Sequence, residues 1–301
     1  MPDYGHDLMF GTMLEPPAER ALDVVELAEL TERVGLDLVS LADHPYWPER
    51  LDTVALLAAI AARTNRVRIL PNLANLPLRP PAMLARTATT LDLLSGGRFE
   101  LGIATGAQQM WDAIVSEGGP RRDAGESIEA LDEAVRLIRA LWTPGPAVRF
   151  DGRYYQLDGA TPGPAPAHDI GIWVGAYQPR LLRLVGRIAD GWVPSSPFLG
   201  PEELPAANRI IDESAMAAGR RPEAVRRVYN IAGDFTATGK GFLQGQAKVW
   251  VEQLTELTLT AGISVFILYR AESDTLIRKF ADDVAPAVRL AVNAERSRGT
   301  V

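Results

Sequence analysis

The stretch SLADHPYW, residues 40–47, sets Asp43 and His44 side by side and follows them with Pro45 and the aromatic rings of Tyr46 and Trp47. An imidazole titrates near neutral pH, so it can give or take a proton during a reaction. The chain has only three histidines. Pro45 biases His44 toward extended geometry, so a strand should carry the imidazole to its carboxyl end before the chain turns. Position alone also allows an Asp-His pair that merely closes a strand, with Tyr46 and Trp47 as packing aromatics.

Three further segments have chemistry-bearing patterns. In RILPNLANLPLRPP, Pro71 has no amide to donate and Asn72 and Asn75 are poor strand formers, so the strand end should be irregular and let backbone approach a ligand; an ordinary turn is the alternative. LGIATGAQ, residues 101–108, has Gly102 and Gly106 but not the dinucleotide-binding spacing. In WVGAYQPR a strand ends at Gly175-Ala176 and Pro179 opens a helix. Amides and the positive helix end therefore converge where a phosphate can sit, with Arg180 nearby, although a tight turn without a ligand has the same letters. There is no G-x-S-x-G, no H-E-x-x-H and no P-loop, and Asp282-Asp283 reads as a solvated face. No metal site is expected.

The elements that must position these residues follow from apolar periodicity. Apolar runs at residues 8–12, 36–42 and 67–73, in RFELGIA, IGIWVGA, GWVPS and RVYNIAG, and in SVFIL read as strands covered on both faces. Between them, stripes at three- and four-residue steps predict helices, among them Val24, Leu27, Leu30 and Val34, with Pro16 and Pro17 opening the helix and Gly35 closing it. Ile128, Leu131, Val135, Ile138 and Trp142 mark a longer one. About eight strand–helix pairs predict a (β/α)8 barrel, whose loops at the strand carboxyl ends hold the chemistry; a doubly wound open sheet is the alternative. Residues 143–169, rich in Pro and Gly, read as an insertion with a small hairpin on an Asp-Gly turn, within one domain spanning 1–301. Residues 114–127 and 233–245, rich in glycine, are expected to be rim lids.

The 301 residues are 47% apolar, enough for a full core, and 31 basic against 38 acidic side chains leave a net charge of −7. Nucleic acid is thus an unfavourable partner. The chain has no cysteine, which removes disulfides and thiol nucleophiles. No apolar run has the length of a membrane span, and the first ten residues lack a signal-peptide pattern, so a cytoplasmic protein is expected.

Together these segments resemble the luciferase-like monooxygenases, a family of flavin- and deazaflavin-dependent oxidoreductases. The resemblance rests on ELAELTERVGLDLVSLADHPYW, on LLAAIAARTNRVRILPNLANLPLRPPAMLARTATTLDLLSGGRFELGIATG, and on IGIWVGAYQPRLLRLVGRIADGWVPS. It implies a barrel of bacterial-luciferase type with a reduced flavin-type ring across its mouth, a non-proline cis peptide near Asn72-Leu73, and a phosphate-binding turn at Gly175, Ala176, Tyr177 and Gln178. It also implies cofactor contacts at Asp43, Asn72, Leu73, Asn75, Thr105 and Gly106. The Asp-His pair with a nearby Trp is similar to users of coenzyme F420, which implies hydride transfer to or from a small organic substrate, with His44, Asp43 and Trp47 at the reacting centre. Trp47 stands three residues past His44, where the most similar members have four, and Ala107 stands where their sugar-phosphate dehydrogenases carry glutamate. An FMN-dependent monooxygenase, fed by a separate reductase, and a non-catalytic flavin-binding barrel are the alternatives. Relatives commonly pair as homodimers.

Overall fold

The computed structural model describes residues 3–15, 17–106 and 108–298. Pro16 and Ala107, both named above, lie outside the described residues. The strands are β1 (Met9–Leu14), β2 (Leu38–Leu41), β3 (Arg68–Pro71), β4 (Ala74–Asn75), β5 (Leu101–Ala104), β6 (Val148–Asp151), β7 (Gln156–Ala160), β8 (Ile172–Val174), β9 (Gly191–Trp192), β10 (Arg226–Ile231), β11 (Asp234–Phe235), β12 (Gln244–Gly245) and β13 (Ile263–Leu268). The helices are α1 (Ala21–Arg33), α2 (Thr53–Arg63), α3 (Pro81–Ser95), α4 (Trp111–Ser116), α5 (Ala124–Trp142), α6 (Pro179–Ile188), α7 (Leu204–Ala217), α8 (Ala247–Ala261), α9 (Asp274–Lys279) and α10 (Ala285–Arg298).

The main sheet runs in the order β3-β2-β1-β13-β10-β9-β8-β5-β4, and its neighbouring strands are parallel. A parallel bridge between Ile69 and Phe99 joins β3 to the approach to β5 and closes the ring. An open doubly wound sheet would leave two edges; here β3 and β4 are two halves of one barrel strand, and the architecture is the (β/α)8 barrel.

The apolar runs are continuous because both faces of each strand are covered. Along β2, Leu38 joins an interior cluster with Leu70, Trp173, Val193, Val228, Val265 and Ile267, while Val39 and Leu41 face the helices. Side chains therefore fill the cylinder, and in such barrels the loops at the carboxyl ends of the strands take the ligand.

Three local expectations are modified. The strand expected over 67–73 is interrupted: the Asn72-Leu73 peptide is cis, as the resemblance implied, and pairing resumes at Ala74 against Ile103 on the opposite neighbour. The helix expected to open at Pro16-Pro17 starts with a short 3-10 turn, Ala18–Arg20, before α1. The helix from Ser273 is divided by a π-helical turn, Phe280–Val284; Pro286 in the first turn of α10 has no N–H for an α-ladder bond to residue 282.

The insertion forms the antiparallel hairpin β6–β7. Its connection is a four-residue loop, 152–155, rather than a two-residue Asp-Gly turn. The Glu133 carboxylate on α5 accepts the amides of Arg153, Tyr154 and Tyr155 at 2.8–3.2 Å, which fixes the longer loop.

Candidate active site

The parallel strands bring His44, Asn75, Thr105 and Gly175 to the same end of the cylinder, since each follows or ends a strand running in the same direction. Asp43 and His44 come directly after β2. The Asp43 side chain is 1% exposed, and Arg79 clasps it through two hydrogen bonds of 2.7 Å while the Asn75 amide donates at 2.8 Å. Arg79 also reaches Asp52, the N-cap of α2, at 2.8 Å. The carboxylate that was expected to contact a ring is thus committed to tying β2 to the segment just past the cis peptide. Arg79 was missed in the sequence because nothing in RPP marks a guanidinium that folds back 36 residues.

His44 is half-buried. Its Nδ1 lies 2.8 Å from the Tyr46 hydroxyl, and its ring lies 4.3 Å from the Trp47 ring at an interplanar angle of 32°. Burial depresses its pKa below the ordinary histidine value; the Asp43 charge opposes this, and Arg50 and Arg270 add to it. Trp47 is flanked on another side by Arg50, whose guanidinium carbon is 5.6 Å from the ring centroid and which pairs with the buried Glu15 at 2.6 Å. These are the groups expected of a proton-handling centre: an imidazole held at Nδ1 by a phenol and along one face by an indole.

Below them the barrel is crossed by side-chain amides. Asn72 and Asn230 exchange hydrogen bonds of 2.8 and 3.2 Å; Asn72 also donates to Ser40 at 3.2 Å and Asn230 to Ser195 at 3.0 Å. All four residues are buried. Asn72 therefore belongs to the floor of the mouth, with its polar atoms already used. Asn230, Ser195 and Ser40 were not anticipated, because polar letters inside apolar strands do not show which partners lie across a barrel.

Asn75 differs. It is 4% exposed, and its Oδ1 has no hydrogen-bond partner. A buried acceptor without a donor is costly, so this atom fits an N–H group brought by a ligand. Two residues before Asn75, Leu73 is packed against glycines. A Cβ on Gly175 would lie 2.4 Å from the Leu73 side chain, and one on Gly102 would lie 2.1 Å from the Pro71 carbonyl oxygen. Leu73 sits between these two glycines, and neither position has room for a side chain while Leu73 stays where it is.

Thr105 is half-buried, with its hydroxyl 3.3 Å from the Gly106 carbonyl, and Gly106 adopts φ 85°, a value that favours glycine. On the far side of the mouth Gly175 leads into Ala176, whose carbonyl accepts from Trp192 Nε1 at 2.9 Å, and into the exposed Tyr177 and Gln178 before Pro179 starts α6. Tyr177 packs edge-on against Phe198 at 6.1 Å. Arg180, expected to lend charge to this turn, instead pairs with Glu129 on α5 at 3.0 Å. Arg121 is paired with Asp112, and Arg122 lies over the rings of Tyr154 and Tyr155.

Parts of the two segments expected as lids are packed into the fold, while residues 117–123 and 236–242 lie outside helices and strands. Ile114, in α4, and Leu243, beside β12, are fully buried, and Phe235 stacks on Trp250 at 4.3 Å. Among the described residues no cluster of potential ligands for a metal ion is present, and no helix is long and apolar enough to cross a membrane.

Comparison with known proteins places this geometry in context. The F420-dependent glucose-6-phosphate dehydrogenase of Nocardia farcinica is 31% identical over 220 residues, 69% of this chain and 63% of that protein. The chain thus spans less than two thirds of that relative's length. An F420-dependent secondary alcohol dehydrogenase, solved in complex with an F420–acetone adduct, superposes with a TM-score of 0.82 at 20% identity, covering 94% of this chain and 99% of that one. The coenzyme F420-dependent tetrahydromethanopterin reductase of Methanopyrus kandleri gives 0.80 at 20% identity, over 93% and 99%. These two likenesses establish the fold. The profile described as luciferase-like monooxygenase matches residues 8–233, from β1 past the end of β10, and on that match the chain belongs to the luciferase-like monooxygenase family.

Proposed function

We propose that this protein is an F420-dependent oxidoreductase acting on a small organic substrate with an alcohol or carbonyl carbon. The observation that carries this reading is the pairing of two features at the carboxyl ends of the barrel strands: an imidazole just past β2 held at Nδ1 by Tyr46, and the unpartnered Asn75 Oδ1 two residues past Leu73. The relatives named F420-dependent support the choice of cofactor.

When bound, the deazaflavin supplies the hydride chemistry. Asn75 would meet an N–H of its ring, Leu73 would back it, Thr105 and Gly106 would border it, and the turn at Gly175, Ala176, Tyr177 and Gln178 would take its phosphate. Asp43 holds the Asn75 segment in place through Arg79 and the Asn75 amide. Asn72, paired with Asn230, forms the floor and excludes water from below. His44 would hydrogen-bond the substrate oxygen and, when its ring is doubly protonated, give that oxygen the proton that accompanies the hydride, ending as the neutral imidazole, with Trp47 beside the ring; a positioned acid–base group of this kind is worth about 100- to 10,000-fold in rate. We further propose a cytoplasmic homodimer whose reduced cofactor is regenerated by a separate reductase.

The test is a titration of the protein with F420 and with FMN, each oxidised and reduced, followed by isothermal calorimetry or fluorescence. F420 should bind at least tenfold tighter in both states, and Asn75→Leu should weaken its binding. Tight FMN binding with oxygen uptake would turn the reading to a two-component monooxygenase. Binding of either cofactor without any turnover that depends on His44 would turn it to a non-catalytic flavin-binding barrel.

A further inference from the structure

We infer that Tyr46 is a positioning residue that keeps the neutral His44 ring in the tautomer with its proton on Nε2, so that the imidazole meets a substrate oxygen as a hydrogen-bond donor. The inference rests on the reading of His44 as the group that faces substrate, and it adds what that reading leaves open: which nitrogen carries the proton, and which kind of substrate atom it prefers.

The argument starts from the phenol. Tyr46 is 9% exposed and packs in a small cluster with Trp111 and Ile114, bordered by Trp47 and Leu78. Its hydroxyl lies 2.8 Å from His44 Nδ1. Burial, and then the charge on Asp43, push the phenol up to about 12, so at neutral pH its oxygen holds a proton that must be given to an acceptor. Nδ1 of a neutral imidazole is such an acceptor only when the ring proton is on Nε2. The reverse arrangement, with Nδ1–H donating to the phenol, would leave the buried hydroxyl proton without a recipient in this cluster, and an unsatisfied buried donor costs about 1–3 kcal/mol.

The ring cannot easily turn Nδ1 away from the phenol and put Cδ2 in its place. Trp47 lies over it at 4.3 Å, and Arg50, braced by Glu15, flanks Trp47 in turn. A half-turn of the imidazole would have to displace that stack. The charged groups that act on His44 are Asp43, Arg50 and Arg270, and Asp43 is spoken for by Arg79 and the Asn75 amide. Tyr46 is thus the group that sets the tautomer. The substrate atom that fits Nε2–H is an oxygen with a free lone pair, a carbonyl above all, and the arrangement favours substrates that present one over those that present an N–H or a cationic group.

The experiment reads the tautomer directly on the full chain without cofactor or substrate, so that failure of this inference and failure of the oxidoreductase reading are separate results. Histidine is labelled with nitrogen-15, the His44 signals are assigned by their loss in His44→Asn, and two-bond proton–nitrogen spectra are recorded above the titration of the ring. Nδ1 should be pyridine-like and Nε2 pyrrole-like. Replacing tyrosine by 3-fluorotyrosine, a stronger donor of the same shape, should move the His44 Nδ1 signal further toward its hydrogen-bonded position and leave His168 in place. Tyr46→Phe should bring in the Nδ1–H tautomer as a second population. A pyrrole-like Nδ1 in the native chain overturns the inference, as does a His44 pattern indifferent to both fluorotyrosine and phenylalanine.

Discussion

Asp43 shows how a single side chain can matter more for what it holds than for what it touches. Its carboxylate is almost fully enclosed, and its partners are Arg79 and the amide that follows the cis peptide. Removing Arg79 leaves that charge with one donor, and breaking a buried pair costs about 3–5 kcal/mol. Arg79→Ala should therefore lower the urea unfolding free energy by about 3 kcal/mol, and cofactor affinity should fall with it because Asn75 loses its anchor. Asp52 shares the same guanidinium but its side chain is 50% exposed. Asp52→Ala should cost only about 1 kcal/mol, most of it through the lost N-cap of α2. Equal losses in the two variants would contradict the division of labour drawn here.

At the scale of elements, the place of Leu73 depends on Gly102 within β5 and Gly175 just past β8, which leave room for its side chain. The two glycines should differ in tolerance. A methyl group on Gly102 meets the Pro71 carbonyl oxygen, which belongs to the adjoining strand and has nowhere to go; a methyl group on Gly175 meets the tip of the Leu73 side chain, which can turn aside. Thermal melts should show Gly102→Ala losing about 3 kcal/mol or more and Gly175→Ala about 1 kcal/mol. The second variant should nonetheless bind F420 at least tenfold more weakly, because Leu73 would be pushed toward the space for the ring. If Gly175→Ala kept full affinity, that turn would not border the cofactor.

Across the whole molecule, a second histidine lies at the end of the barrel opposite the mouth, ahead of β8. His168, where the insertion returns to the barrel, sits 3.5 Å from Glu100 and 2.7 Å from the fully buried Asp92, which also accepts the amides of Ala167 and His168. Glu100 foremost, with Asp92, raises the imidazole's pKa above 6.5 against the opposing effect of burial. A raised histidine pKa adds stability that is fully present below the unfolded value and is lost as pH climbs through the folded one. Unfolding midpoints measured across this range should thus fall as pH rises through the folded-state value of His168, and His168→Gln should flatten that limb. An unchanged slope in the variant would assign the pH dependence elsewhere.

Much of this was legible in the letters, for physical reasons that also mark the limit. Strands buried on both faces must be apolar throughout, and helices on their backs must carry stripes, so the alternation that defines the barrel was readable, as were the irregular end at Asn72-Leu73 and the rim position of His44 after β2. What only the tertiary structure decided is which polar groups meet: Arg79 with Asp43, Asn72 with Asn230, Arg180 with Glu129 rather than the phosphate turn, Tyr46 with His44 Nδ1. Burial is a property of one residue and leaves its trace in local pattern. A hydrogen bond is a property of two, and when the partners come from different strands of a closed cylinder, their spacing along the chain carries no record of the distance between them.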